Sequence, residues 1–253
     1  MDILTEIIEN KRIEVNKQKR EYDIQILKNL TISNKFRFSK SLDKNKISII
    51  AEIKKKSPSA GIIDNKFDYL TLLKKYDNKN ITAISVLTDE KYFGGNLEIF
   101  KKIRAKTNKP LLRKEFIIDN FQIYQSIYYK ADIILLIAKI LDSKTLTKFL
   151  EICNKYGIDA IVECHNKDEI KKAIDAGAKI IGINNRNLND FSVDINNSLN
   201  LKKFIPDDLI SISESGIRTP EDIKKIKAAG YNAVLVGESF VRCNNLKQFY
   251  KVL

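Results

Sequence analysis

Short apolar runs alternate along this chain with longer polar stretches in which apolar residues recur at helical spacing. The runs are 48–53 (SIIAEI), 82–87 (TAISVL), 110–113 (PLLR), 132–137 (DIILLI), 158–163 (IDAIVE), 179–183 (KIIGI), 209–213 (LISIS) and 233–237 (AVLVG). They show little in–out alternation, which suits parallel strands buried on both faces. Their starts lie roughly 20 to 35 residues apart, room for a strand and a crossover helix. Between them, 142–156 reads as a helix with Asp142 or Ser143 as cap and Gly157 as stop. Likewise 219–229 has Thr219 as N-cap, Pro220 at the first helical position and Gly230 as the break. Eight such units predict an α/β fold, a (β/α)₈ TIM barrel, with residues 1–253 as one domain. A doubly wound open sheet is the alternative, weakened because no G-x-G-x-x-G follows the first strand. Residues 1–45 precede the first strand. Ile3, Leu4, Ile7 and Ile8 give residues 2–19 an apolar stripe, so an extra N-terminal helix is expected to pack on the barrel. It either caps the barrel or closes over the mouth of a site.

Composition narrows the function classes. The 253 residues are 43% hydrophobic and 30% charged, enough for a sizeable core and against general disorder. The longest clean apolar run, Ile133 to Ala138, is far short of a membrane span of about 20 residues. Residues 1–20 hold no apolar signal core, so a cytoplasmic protein without a membrane partner is expected. Cys153, Cys164 and Cys243 form no C-x-x-C pair and read as reduced thiols rather than disulfide or metal ligands. The formal net charge of +13 admits a nucleic-acid partner. The lysines are nevertheless spread along the chain, and short runs such as Lys54-Lys55-Lys56 lack aromatic interleaving. A small anionic substrate in a basic cleft fits better, with no nucleic acid and a monomer as the simpler assembly.

Strand side chains alternate with period two, so parity assigns faces. If Ile50 points into the barrel, Glu52 and Lys54 follow it to the C-terminal rim. The same count puts Lys114 in register with Leu112, Glu163 with Ile161, Asn184 with Gly182, and Glu214 with Ile212. The fourth strand offers only Ile133, Leu135 and Ile137, a dry wall. Five strands thus end in polar groups at the end of the barrel where sites of this fold lie. Cys164, of opposite parity to Glu163, should face the helices. Ser57-Pro58-Ser59, Ser215-Gly216 and Gly237-Glu238-Ser239 form a second cluster. Glycine turns after strands seven and eight, beside a short helix N-terminus, suit a phosphate group.

AEIKKKSPSAG (51–61), SVLTDEKYFGG (85–95), PLLRKEF (110–116), VECHN (162–166), GINNRNL (182–188), SESGI (213–217) and VGESF (236–240) closely resemble the indole-3-glycerol-phosphate synthase family, in family order. Residues 1–25 resemble that family's extra N-terminal helix. The resemblance implies conversion of 1-(2-carboxyphenylamino)-1-deoxyribulose 5-phosphate to indole-3-glycerol phosphate, with loss of CO₂ and water, and no metal or organic cofactor. It implies that Lys114 is the general acid and Glu163 the general base. Lys54 would hold the substrate carboxylate and Glu52 would be a second acid–base group. Asn184 and Glu214 would position hydroxyls. Ser57, Gly216, Gly237 and Glu238 would bind phosphate, and Ser85, Phe93, Phe116, Leu135, Arg186 and Ser215 would line the pocket. Two neighbouring ammonium groups, Lys54 and Lys114, are expected to lower each other's pKa. Two residues after Glu163 some members carry Asn where this chain has His165, its only histidine, expected to be a rim or substrate-orienting residue. The rival readings are another phosphate-binding barrel, such as a sugar-phosphate isomerase, and a basic RNA-binding protein.

Overall fold

The computed structural model describes residues 3–32, 34–43, 45–58, 61–63, 67–187, 190–243 and 245–253. Eight parallel strands close into a barrel: β1 (Ser48–Ile53), β2 (Ala83–Leu87), β3 (Leu111–Lys114), β4 (Ile133–Ile137), β5 (Asp159–Cys164), β6 (Ile180–Asn184), β7 (Ile210–Glu214) and β8 (Ala233–Val236). Each expected strand is present with bounds moved by no more than one residue. Closure comes from β1 pairing β8, Ser48 opposite Ala233, and from β1 pairing β2, Ile50 opposite Ala83. That closure rules out the open sheet.

The strands are buried on both faces, as their unbroken apolar runs require. Inward side chains Ile50, Ala83, Leu112, Ile133, Ile161, Ile180, Ile212 and Ala233 fill the barrel. Outward ones, including Ile49, Ile84, Ile134, Val162 and Cys164, pack under the helices. The parity argument therefore holds strand by strand. Local chemistry sets the helix ends. Helix Ser143–Tyr156 starts where Asp142 accepts the Thr145 N–H at 2.7 Å, and helix Pro220–Ala228 starts at a reciprocal Thr219–Asp222 capping box.

The segment before β1 covers both ends of the barrel. Its first helix, α1 (Ile3–Gln18), lies at the C-terminal end of the strands, where Ile3, Leu4 and Ile7 reach a cavity. Lys11 of α1 is buried, 3.0 Å from both Asp89, just past β2, and Glu115, just past β3. At the opposite end α3 (Arg37–Ser41), which follows α2 (Ile24–Lys28), inserts the fully buried Phe38 into the barrel interior. The Asp159 carboxylate accepts the Phe38 and Ser39 N–H groups at 3.0 and 3.1 Å. Arg37 also pairs with Asp132 at 2.8 Å.

Candidate active site

A cavity of about 390 Å³ opens at the C-terminal ends of the strands, under α1. Of the strand-end residues singled out by parity, Glu52, Lys54, Lys114, Glu163 and Asn184 line it, with Leu135 and Ile137 as the apolar wall. Glu214 sits directly beneath, fully buried, and reaches the cavity through Lys114. Phe93 and Phe116 stand on the wall with ring centroids 6.0 Å apart. Ser57, Arg186, Ser215, Gly216, Gly237 and Glu238 complete the rim on the other side. Ser59 lies outside the described residues.

The charges are wired in pairs. Lys54 Nζ is 2.6 Å from Glu52 Oε1, and Lys114 Nζ is 2.6 Å from Glu214 Oε2 and 3.8 Å from Glu52 Oε2. Burial alone would raise the Glu52 carboxyl, but Lys54 and Lys114 outweigh it and hold it below the usual carboxylate range. Glu214 is pushed up instead: burial dominates, Lys114 opposes it, and the carboxylates of Glu163 and Glu52 add to the rise. Burial would lower the Lys114 ammonium, yet Glu214, Glu52 and Glu163 together raise it above the ordinary lysine value. For Lys114 the expectation of a depressed ammonium is corrected here. Glu214 stands 2.6 Å from it, and attraction to the neighbouring acids outweighs burial.

Two glycines make these approaches possible. A Cβ on Gly182 would lie 2.3 Å from Glu214 Oε1, and one on Gly237 would lie 2.5 Å from Glu52 Oε1 and 3.1 Å from Lys54 Nζ. The turn after β7 is held in the left-handed region at both Ser215 (φ 66°) and Gly216 (φ 80°). For a serine that conformation is uncommon and is typical of functional turns.

One pocket assignment needs correction. Ser85 is fully buried inside the barrel, in register with Glu52 on one side and Leu112 on the other, and is no part of the cavity wall. It belongs to the layer below, because only Leu87, two residues further on, reaches the rim. Conversely, Arg218, Arg242, Phe191 and Val193 line the cavity and were not foreseen. They come from loops and a short helix, Glu238–Arg242, where strand parity gives no face. Arg242 could have been found from its i,i+4 spacing to Glu238, which it pairs at 3.0 Å. Among the described residues no group of three or more His, Cys, Asp or Glu side chains is placed to hold a metal ion.

A closed (β/α)₈ barrel that gathers two lysines and three glutamates around an aromatic-walled cavity is an enzyme built for acid–base chemistry on an anionic substrate. The family model described as indole-3-glycerol phosphate synthase matches residues 4–253. The chain is similar to the indole-3-glycerol phosphate synthase of Caldanaerobacter subterraneus subsp. tengcongensis, 44% identical over 251 residues, covering 98% of each chain. It is also similar to those of Lachnoclostridium phytofermentans (40% identical, 97% of this chain and 96% of the relative) and Clostridium acetobutylicum (44% identical, 95% and 92%). The chain belongs to the indole-3-glycerol phosphate synthase family.

Proposed function

We propose that this enzyme closes the indole ring in tryptophan biosynthesis, converting 1-(2-carboxyphenylamino)-1-deoxyribulose 5-phosphate to indole-3-glycerol phosphate, CO₂ and water. The observation that carries the reading is the Lys114 ammonium on the cavity wall between Glu52 and Glu214, in sight of the Phe93–Phe116 pair. The benzoate ring rests on Phe93, Phe116 and Leu135, and Lys54 holds its carboxylate. When the ring carbon bearing that carboxylate attacks the ribulose carbonyl carbon, the carbonyl oxygen takes a proton from Lys114 and becomes a hydroxyl. Loss of CO₂ returns its bonding electrons to the ring. The hydroxyl then leaves as water, protonated by a lysine, while Glu163 removes the proton whose loss forms the new double bond. Glu52 exchanges protons with both lysines, and Asn184 and Glu214 orient the ribulose hydroxyls.

The phosphate lies at the opposite rim, against Ser57 and the turns of Gly216, Gly237 and Glu238. Arg218 and Arg242 add positive charge there. The side chains named carry every proton transfer, so the scheme calls on no cofactor. The same reading takes the protein as a cytoplasmic, single-domain monomer that binds no nucleic acid. In support, the large apolar side chains exposed among the described residues are few and scattered in the sequence: Ile13, Ile26, Ile62 and Tyr128. No described helix is long and apolar enough to cross a membrane.

The test follows indole fluorescence after purified protein meets the substrate. The chain has no tryptophan, so its own emission does not obscure the product. A rise that is lost in Lys114→Ala supports the reading. A flat trace from folded protein overturns it.

A further inference from the structure

The chain's one histidine stands beside Glu163 without lining the cavity. His165 directly follows β5, and its backbone N–H donates to Glu169 Oε2 at 2.8 Å. The ring Nδ1 lies 3.2 Å from the same oxygen. Glu169 is itself fixed at the start of helix Lys167–Asp175, where its N–H donates to the N-cap Asn166 and its Oε1 accepts from Asn166 Nδ2, both at 2.9 Å. A carboxylate only accepts, so Nδ1 must carry a hydrogen. The other ring nitrogen, Nε2, is buried without a hydrogen-bond partner, 3.6 Å from Glu163 Oε1.

That geometry distinguishes the two states of the ring. A neutral imidazole protonated at Nδ1 would turn the Nε2 lone pair toward the carboxylate of Glu163. An imidazolium would turn an N–H toward it. Burial would lower the histidine, but the contacts with Glu169 and the charges of Glu163 and Glu169 outweigh burial and raise it, with Lys139 opposing. Asn197, which packs on the same turn, donates to the backbone carbonyls of His165 and Asn184 rather than to the ring. On its cavity side Glu163 interacts with Lys114 and Glu214.

We propose that His165, clamped by Glu169, is a positioning residue that acts as an imidazolium, donating from Nε2 to Glu163 and holding that carboxylate aimed at the substrate. The proposal rests on the reading of Glu163 as the base. It also goes past the expectation of a rim residue: His165 touches Glu163, not the cavity. As pH rises through the histidine's own titration, the donor is lost and turnover falls.

A single histidine means a single imidazole in a ¹H–¹⁵N spectrum, so its titration is read in the intact protein. The expected midpoint lies above the ordinary value of about 6.5 and drops by on the order of one unit in Glu163→Gln. A midpoint at or below the ordinary value, or one unmoved by Glu163→Gln, overturns the proposal. In kinetics, His165→Leu is expected to lower kcat on the order of tenfold with little change in KM, and to abolish the alkaline limb. His165→Gln, which keeps a donor without a titrating group, should restore most of kcat while the limb stays absent. Equal losses in both variants would mean a merely structural role and overturn the proposal. Failure of wild-type turnover would instead remove the synthase reading, since the titration reports the pair without substrate.

Discussion

Lys114 of β3 and Glu214 of β7 meet at 2.6 Å, although their strands stand on opposite sides of the barrel. The pair is a strut across the mouth and, in the proposed reaction, also the source of a proton. Removing the lysine strands a fully buried carboxylate. Lys114→Met should therefore abolish turnover, by at least about 10²-fold, and destabilise the fold by about 3 kcal/mol. Lys114→Met combined with Glu214→Leu should recover stability without recovering activity. Urea unfolding and fluorescence kinetics on the single and double variants check both halves.

Gly237→Ala introduces a methyl 2.5 Å from Glu52 Oε1. The carboxylate must move, and Lys54 moves with it. The expected result is a loss of kcat/KM on the order of 10²-fold with a smaller stability cost of about 1–3 kcal/mol, seen by steady-state kinetics beside a thermal melt.

Lys11→Met removes the cation that Asp89 and Glu115 share with Glu14. Two buried carboxylates lose the cation they share, Glu115 keeping only Arg113, a penalty of about 3 kcal/mol that falls first on the docking of α1. Hydrogen exchange should accelerate through Ile3–Gln18 while the barrel strands stay protected. KM should rise as well, because Ile3, Leu4 and Ile7 form part of the cavity wall.

Acid should weaken the fold through the carboxyls held low. For Glu52 and Glu115, burial works against ionisation but the neighbouring cations prevail, Lys54 and Lys114 in one case, Lys11 and Arg113 in the other. A folded-state value below the unfolded one means stability that is complete above about pH 4.3 and lost as pH falls through the folded value. Glu214, shifted upward, acts in a different window: its penalty is relieved as pH falls through its folded value toward about 4.3, before that loss begins. The urea midpoint should therefore drop as pH falls below about 4.3. Lys11→Met should shrink that drop, since Glu115 then lacks its main cation.

Much of this is legible in the sequence. Strand side chains have only two faces, so fixing Ile50, Leu112, Ile161 and Ile212 inward places Glu52, Lys114 and Glu163 at the mouth, with Glu214 just beneath. Depth was harder. Ser85 and Leu87 share a face, and only the stagger of β2 against β1 decides which of them reaches the rim. Charge states were harder still, because the Lys114 ammonium answers to carboxylates brought from three other strands. Lys11 had a visible signal that went unused: it falls at the next position of the stripe Leu4, Ile7, Val15, where a lysine is out of place unless acids await it. Phe38 gave none, since nothing in its neighbourhood marks it for the far end of the barrel.

The segment carrying Phe38 and Lys11 leaves the ribosome before the strands it packs on and has nowhere to bury itself until they follow. Phe38 needs an interior that exists only once β8 has joined β1, near the other end of the chain. Lys11 needs the acids that follow β2 and β3. The leading segment must wait, exposed, through the synthesis of most of the strands and then dock last. This segment is thus made before the strands it packs on and docks after them.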